Sequence, residues 1–127
     1  MSVKFGVLLP QVWHLDLVDI KDPIEQYEAM TRVAQEAERL GLDAVWLYDH
    51  FHTVPTAQLE TNFEAWMCTA ALARDTSTIR IWQMVTSNNY RNPALLAKMA
   101  STVDLISHGL LVCAIVAGGY VYKYTSH

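Results

Sequence analysis

Two histidines, His50 and His52, stand two residues apart and directly follow an acidic residue in the stretch Trp46-Leu47-Tyr48-Asp49-His50-Phe51-His52. An imidazole titrates near neutral pH, so a histidine held at the end of a buried segment can give or take a proton. The same His-x-His spacing also suits a metal ion in hydrolases, although His14, His108 and His127 fall in a loop, at a helix end and at the terminus and offer no evident further ligands. A structural reading stands beside both: Asp49 can cap a turn and one imidazole can bond a backbone carbonyl. Three other groups carry usable chemistry. Asn88-Asn89-Tyr90-Arg91 offers amides, a phenol and a guanidinium, fit for a polar ring edge or a phosphate. Gly118-Gly119 either lets backbone N–H groups approach a phosphate or makes a turn. Trp13, in a loop after Pro10-Gln11, is a stacking surface, whereas Trp46, Trp66 and Trp82 fall at core-like positions.

These groups work together only if one fold gathers them. Val3 to Leu9 is a β-prone run closed by Pro10. Asp22-Pro23-Ile24-Glu25 has the form of a capping box, and Tyr27, Met30, Ala34, Ala37 and Leu40 recur at helical spacing before Gly41 stops the helix. Asp43 to Tyr48 reads as a second strand, Phe63 to Arg74 as an alanine-rich helix, and Ile79 to Val85 as a third strand. Pro93 opens a helix to about Ile106, His108-Gly109 ends it, and Leu110 to Ala117 is a fourth strand. Strands alternating with helices predict an α/β fold of parallel strands with right-handed crossovers. Ligands in such folds collect at the C-terminal strand ends, where all the groups above lie. A closed eight-stranded barrel takes roughly 250 residues; these 127 residues supply four strands and three helices, half of a (β/α)8 barrel. The open face and free edges of a half-barrel predict self-association, hence a homo-oligomer.

Composition narrows the class. With 52% hydrophobic and 17% charged residues the chain reads as a single domain over residues 1–127. A net charge of −4 with scattered Lys and Arg argues against nucleic acid. The N-terminal residues lack a signal-peptide pattern and the longest apolar run, Leu110 to Gly119, is too short to span a bilayer, so a cytoplasmic protein without membrane partners is expected. Cys68 and Cys113 match no metal or redox spacing and read as small core residues.

Five stretches, taken in order and spacing, resemble the N-terminal half of the luciferase-like monooxygenase superfamily, in particular its F420 (deazaflavin)-dependent oxidoreductases. They are Lys4 to Gln11, Leu42 to Phe51, Phe63-Glu64-Ala65-Trp66, Met84-Val85-Thr86 with Asn89 to Pro93, and Leu95 to Asp104, spanning about residues 3–109. The resemblance implies a barrel whose cofactor ring lies over the strand ends, F420 or alternatively FMN, and a small organic substrate oxidised by hydride transfer or monooxygenation. It further implies that Asp49 and His50 are the catalytic residues, with His50 contacting the ring and assisting proton movement. Met84-Val85 matches a non-prolyl cis peptide that bulges behind the ring, and Thr86 and Asn89 would bond the ring edge. After His108 the sequence departs from the family's habitual Gly-Arg-Leu and glycine-rich stretch, reading Gly109-Leu110-Leu111 and Ala114-Ile115-Val116-Ala117-Gly118-Gly119-Tyr120. A truncated or inactive form, or a noncatalytic self-associating half-barrel, is the resulting expectation.

Overall fold

A computed structural model describes residues 2–117, in the order β1 (Gly6–Leu8), α1 (Pro23–Arg39), β2 (Ala44–Leu47), α2 (Ala65–Asp75), β3 (Arg80–Ser87), α3 (Pro93–Ile106) and β4 (Leu111–Val116). The four strands pair in parallel, in chain order β1-β2-β3-β4, with a helix on each crossover. This is the expected half of a (β/α)8 barrel.

The helix boundaries follow from local chemistry. The Asp22 side chain accepts the Ile24 N–H at 3.0 Å and Pro23 fills the first helical position. The capping box is only half realised, because Glu25 pairs instead with Arg32 at 3.1 Å. Gly41, at φ +77°, ends α1 as a Schellman motif: Leu42 N–H donates to Ala37 C=O and Gly41 N–H to Glu38 C=O, each at 3.0 Å. Along α1 the buried residues are Gln26, Met30, Thr31, Ala34 and Ala37. Leu40, expected on that stripe, is exposed at the last turn, and Gln26 takes a buried place because its amide donates to the carbonyls of Leu17 and Ile20. The second helix begins at Ala65, two residues later than expected, because Glu64 caps it by accepting the Met67 N–H at 2.7 Å.

The first strand is shorter than the apolar run suggests. At Phe5 the Asp43 carboxylate replaces a ladder partner, accepting the Phe5 N–H at 2.8 Å, and Val3 and Phe5 stay exposed. Gly6 is required where it stands, since a Cβ would lie 2.7 Å from the Ala44 carbonyl oxygen and 3.1 Å from Trp46 Cζ2. Strand β3 runs two residues further than expected, to Ser87.

Alternation along the strands sends Val45, Leu47 and Ile81 into a core with Met30, Ala34, Trp66, Leu72 and Val103 from the helices. The register sets Leu8, Trp46, Trp82 and Val112 side by side on the opposite face. Helices cover only the first face. Trp46 and Trp82 are therefore half-buried on the open side, and only Trp66 is the core tryptophan that composition suggested for all three. Cys68 is buried, with burial and then the charge of Glu64 pushing its thiol up to about 12. Cys113 is exposed on β4, contrary to its expected place in the core, because β4 is an edge strand and among the described residues no helix follows it to pack on its outer side. No helix among the described residues is long and apolar enough to cross a membrane.

Glu38 joins α1 to the turn before β3. Its carboxylate accepts the backbone N–H groups of Ser77, Thr78 and Ile79 at 2.8, 2.6 and 3.0 Å, and the Thr78 hydroxyl at 3.1 Å. Partial burial opposes ionisation, but these bonds outweigh it and hold the carboxyl below its usual range. A lowered carboxyl stabilises the fold above the ordinary glutamate value of about 4.3, and that contribution is lost as pH falls through the folded value. Glu38→Gln is expected to cost about 1 kcal/mol at pH 7, since the bonds to a charged acceptor are partly screened by solvent. Urea midpoints of variant and parent should converge below pH 4.

Candidate active site

The C-terminal strand ends are locked together by buried polar side chains. Gln11, just past β1, uses both ends of its amide: Oε1 accepts the Tyr48 N–H at 2.5 Å and Nε2 donates to the carbonyls of Tyr48 and Phe63 at 3.2 and 3.4 Å. In effect the side chain continues the β1–β2 ladder beyond the last strand residue. Asp49, one residue past Tyr48, is fully buried. Its carboxylate accepts the Ser87 N–H at 2.8 Å and both guanidinium nitrogens of Arg91, at 2.6 and 2.9 Å. The same guanidinium also bonds the Glu64 carboxylate. Burial works against the charge on Arg91, but Asp49 and Glu64 outweigh it and favour the guanidinium.

This arrangement revises the reading of the Asn88 to Arg91 loop. Arg91 was expected to face a ring edge or phosphate, but its donors are taken by two carboxylates. Tyr90 stacks on Phe51 with centroids 3.9 Å apart and planes 10° apart. Burial, then the charge of Asp49, raises its phenol above the usual value. Sequence reasoning named Asp49 and Arg91 without joining them, and missed the part Glu64 plays. The only sequence signal was that all three lie in the stretches carrying the resemblance.

His50 is half-buried and lies flat against Trp13, centroids 4.0 Å apart and planes 5° apart, while its carbonyl accepts the Asn62 side-chain N–H at 2.9 Å. The Trp13 stacking surface is thus used by the protein itself. His52 is exposed on the following loop. Among the described residues no three His, Cys, Asp or Glu side chains converge as a metal site.

The end of β3 carries the cis peptide Met84–Val85 at the position the resemblance implied. Across it the register slips: three steps on β3, Gln83 to Thr86, face two on β4, Cys113 to Ile115, which is a one-residue bulge. Beyond the bulge, Thr86 and Ser87 are fully buried and Asn89 is half-buried. Ser87 Oγ and Asn89 Nδ2 have no hydrogen-bond partner among the described residues, and the Thr86 hydroxyl has only the Cys113 thiol beside it, a weak partner. Buried polar groups are nearly always bonded, so a cluster of them left open at a strand end fits a ligand with polar edges. Gly118 and Gly119 lie outside the described residues.

A family model described as luciferase-like monooxygenase matches residues 3–127. The chain belongs to that family. Among curated relatives, this luciferase-like chain is 32% identical over 108 residues to an F420-dependent glucose-6-phosphate dehydrogenase of Amycolatopsis mediterranei, covering 80% of the chain and 31% of the relative. It is 29% identical over 112 residues to the oxygenase component of a flavin-dependent trigonelline monooxygenase of Acinetobacter baylyi, covering 87% and 30%. Among solved structures, the oxygenating constituent of 3,6-diketocamphane monooxygenase from Pseudomonas putida, in complex with FMN, superposes with a TM-score of 0.74 at 22% identity, covering 94% of this chain and 30% of that one. The chain thus spans about a third of the length of the proteins it matches.

Proposed function

We propose that this chain carries the ring-binding strand ends of a luciferase-like oxidoreductase and binds the deazaflavin F420, with FMN the alternative, for oxidation of a small organic substrate. The observation that carries the reading is the cluster of buried polar atoms on Thr86, Ser87 and Asn89, weakly bonded or unbonded among the described residues, directly beyond the Met84–Val85 bulge. Its hydroxyls and amide match the carbonyl and N–H edge of such a ring. When bound, the ring supplies hydride or oxygen chemistry. The protein supplies the frame: Thr86 and Asn89 would hold the ring edge, beside the Met84–Val85 bulge. Asp49, paired with Arg91, fixes the loop from which His50 extends, and His50 would hold or release a proton beside the substrate. Two unpaired cysteines fit a reducing, cytoplasmic setting.

We further infer that residues 1–127 alone bind the ring without efficient turnover and self-associate. Leu8, Met84 and Val116 are each about 40% exposed, leaving apolar strand surface in water. A saturable change in F420 or FMN fluorescence on adding folded protein supports the binding reading, and no change with either cofactor removes it. Sedimentation gives an independent check: a species larger than one chain is expected, and a monodisperse monomer would count against self-association.

A further inference from the structure

We propose that Trp13 is a positioning residue for His50, its indole face holding the imidazole plane and favouring the protonated ring. The inference rests on the role given to His50 above. The stack itself is parallel and close, 4.0 Å and 5°, whereas Tyr48 and His14 meet the indole at tilts of 52° and 51°. A cation over an indole face is attracted by the ring's quadrupole, and tryptophan is the best such partner.

The β1–α1 loop is built to present that indole. Val12 is fully buried at φ +70° and Leu15 sits at φ +61°, a left-handed conformation that a β-branched residue rarely adopts. Three bonds enforce it: Val12 N–H donates to Asp16 Oδ1 at 2.8 Å, Leu15 N–H to the Val12 carbonyl at 3.0 Å, and Val54 N–H to the Trp13 carbonyl at 2.9 Å. The last bond ties the Trp13 backbone to the loop that follows His50. Strain held by several independent contacts beside a candidate proton carrier is the pattern expected of a functional constraint rather than of filler packing.

The described titratable groups near the pair can be named. Asp49 and Glu64 are both occupied by Arg91. Tyr48, whose phenol is raised by burial and then by Asp16, stays neutral near pH 7 with its ring 6.5 Å from His50. His14 is tilted on the same indole at 4.1 Å. The indole face is in parallel contact with His50, so its removal should register on that imidazole.

Imidazole NMR titration of the unmodified chain, Trp13→Leu and Trp13→Phe tests the proposal without any cofactor. In the parent, the His50 ring protons should be shifted upfield by the indole ring current relative to the other histidines. Trp13→Leu should abolish that shift and lower the His50 titration midpoint by about half to one pH unit. Trp13→Phe should keep the fold and part of both effects. An unshifted His50 in the parent overturns the proposal whatever the variants do, and so does an unchanged midpoint in a folded Trp13→Leu. Should the leucine variant fail to fold, the phenylalanine variant decides: both effects reduced supports the proposal, neither changed overturns it. A stack present in a chain that binds no cofactor would instead sink the function proposed above and leave this inference standing.

Discussion

Replacing Arg91 with methionine should destabilise the chain by about 3 to 5 kcal/mol, enough to remove much of the stability of a domain this size. The guanidinium is 8% exposed and the Asp49 carboxylate it clamps is fully buried. Removing the cation takes both guanidinium bonds from a buried carboxylate that keeps the Ser87 N–H. The measurement is the urea midpoint at pH 7. A double variant, Arg91→Met with Asp49→Asn, should recover part of the loss, because the uncompensated charge is then gone. A cost under 1 kcal/mol for Arg91→Met would mean that the Glu64–Arg91–Asp49 chain does not hold the strand ends together.

Trp66→Ala should cost a comparable 3 to 5 kcal/mol, by roughly the penalty for emptying a large aromatic site in a core. Trp66 is 1% exposed and packs in the cluster that joins α2 to the sheet, one residue beyond the Glu64 cap and Ala65. Its indole N–H has no partner among the described residues, so Trp66→Phe sacrifices little polar bonding and should lose far less. Thermal unfolding of the two variants separates these outcomes; equal losses would show that volume at this site is not what stabilises α2.

The fold was legible because its signals are local. Alternating apolar runs and helical stripes, the Asp22-Pro23 start, the Gly41 stop and the Pro93 start all act within a turn of their own position. What escaped were features set by partners distant in sequence. The Asp43 carboxylate shortens β1 across 38 residues, and Arg91 reaches Asp49 and Glu64 across 42 and 27. Cys113 reads as core from its neighbours' apolarity, yet its burial depends on what lies beyond the edge strand β4, which its neighbours in sequence do not reveal. The site was half legible. His50, Asp49 and the Met84–Val85 bulge were named from their place at strand ends and from family likeness, while Ser87 shared the strand-end position but nothing in the sequence told that its hydroxyl is buried without a partner among the described residues. Nothing in the residue order tells that Trp13 would lie on His50, because that contact is made by two loops on different strands.

The most direct test of the central claim is amide NMR mapping of the folded chain during titration with F420 and, separately, with FMN. The account predicts saturable perturbations concentrated at Asp49, His50 and residues 84–89, with the outer helix faces unmoved. Perturbations confined elsewhere, or none with either cofactor, would contradict the assignment of the ring site to these strand ends.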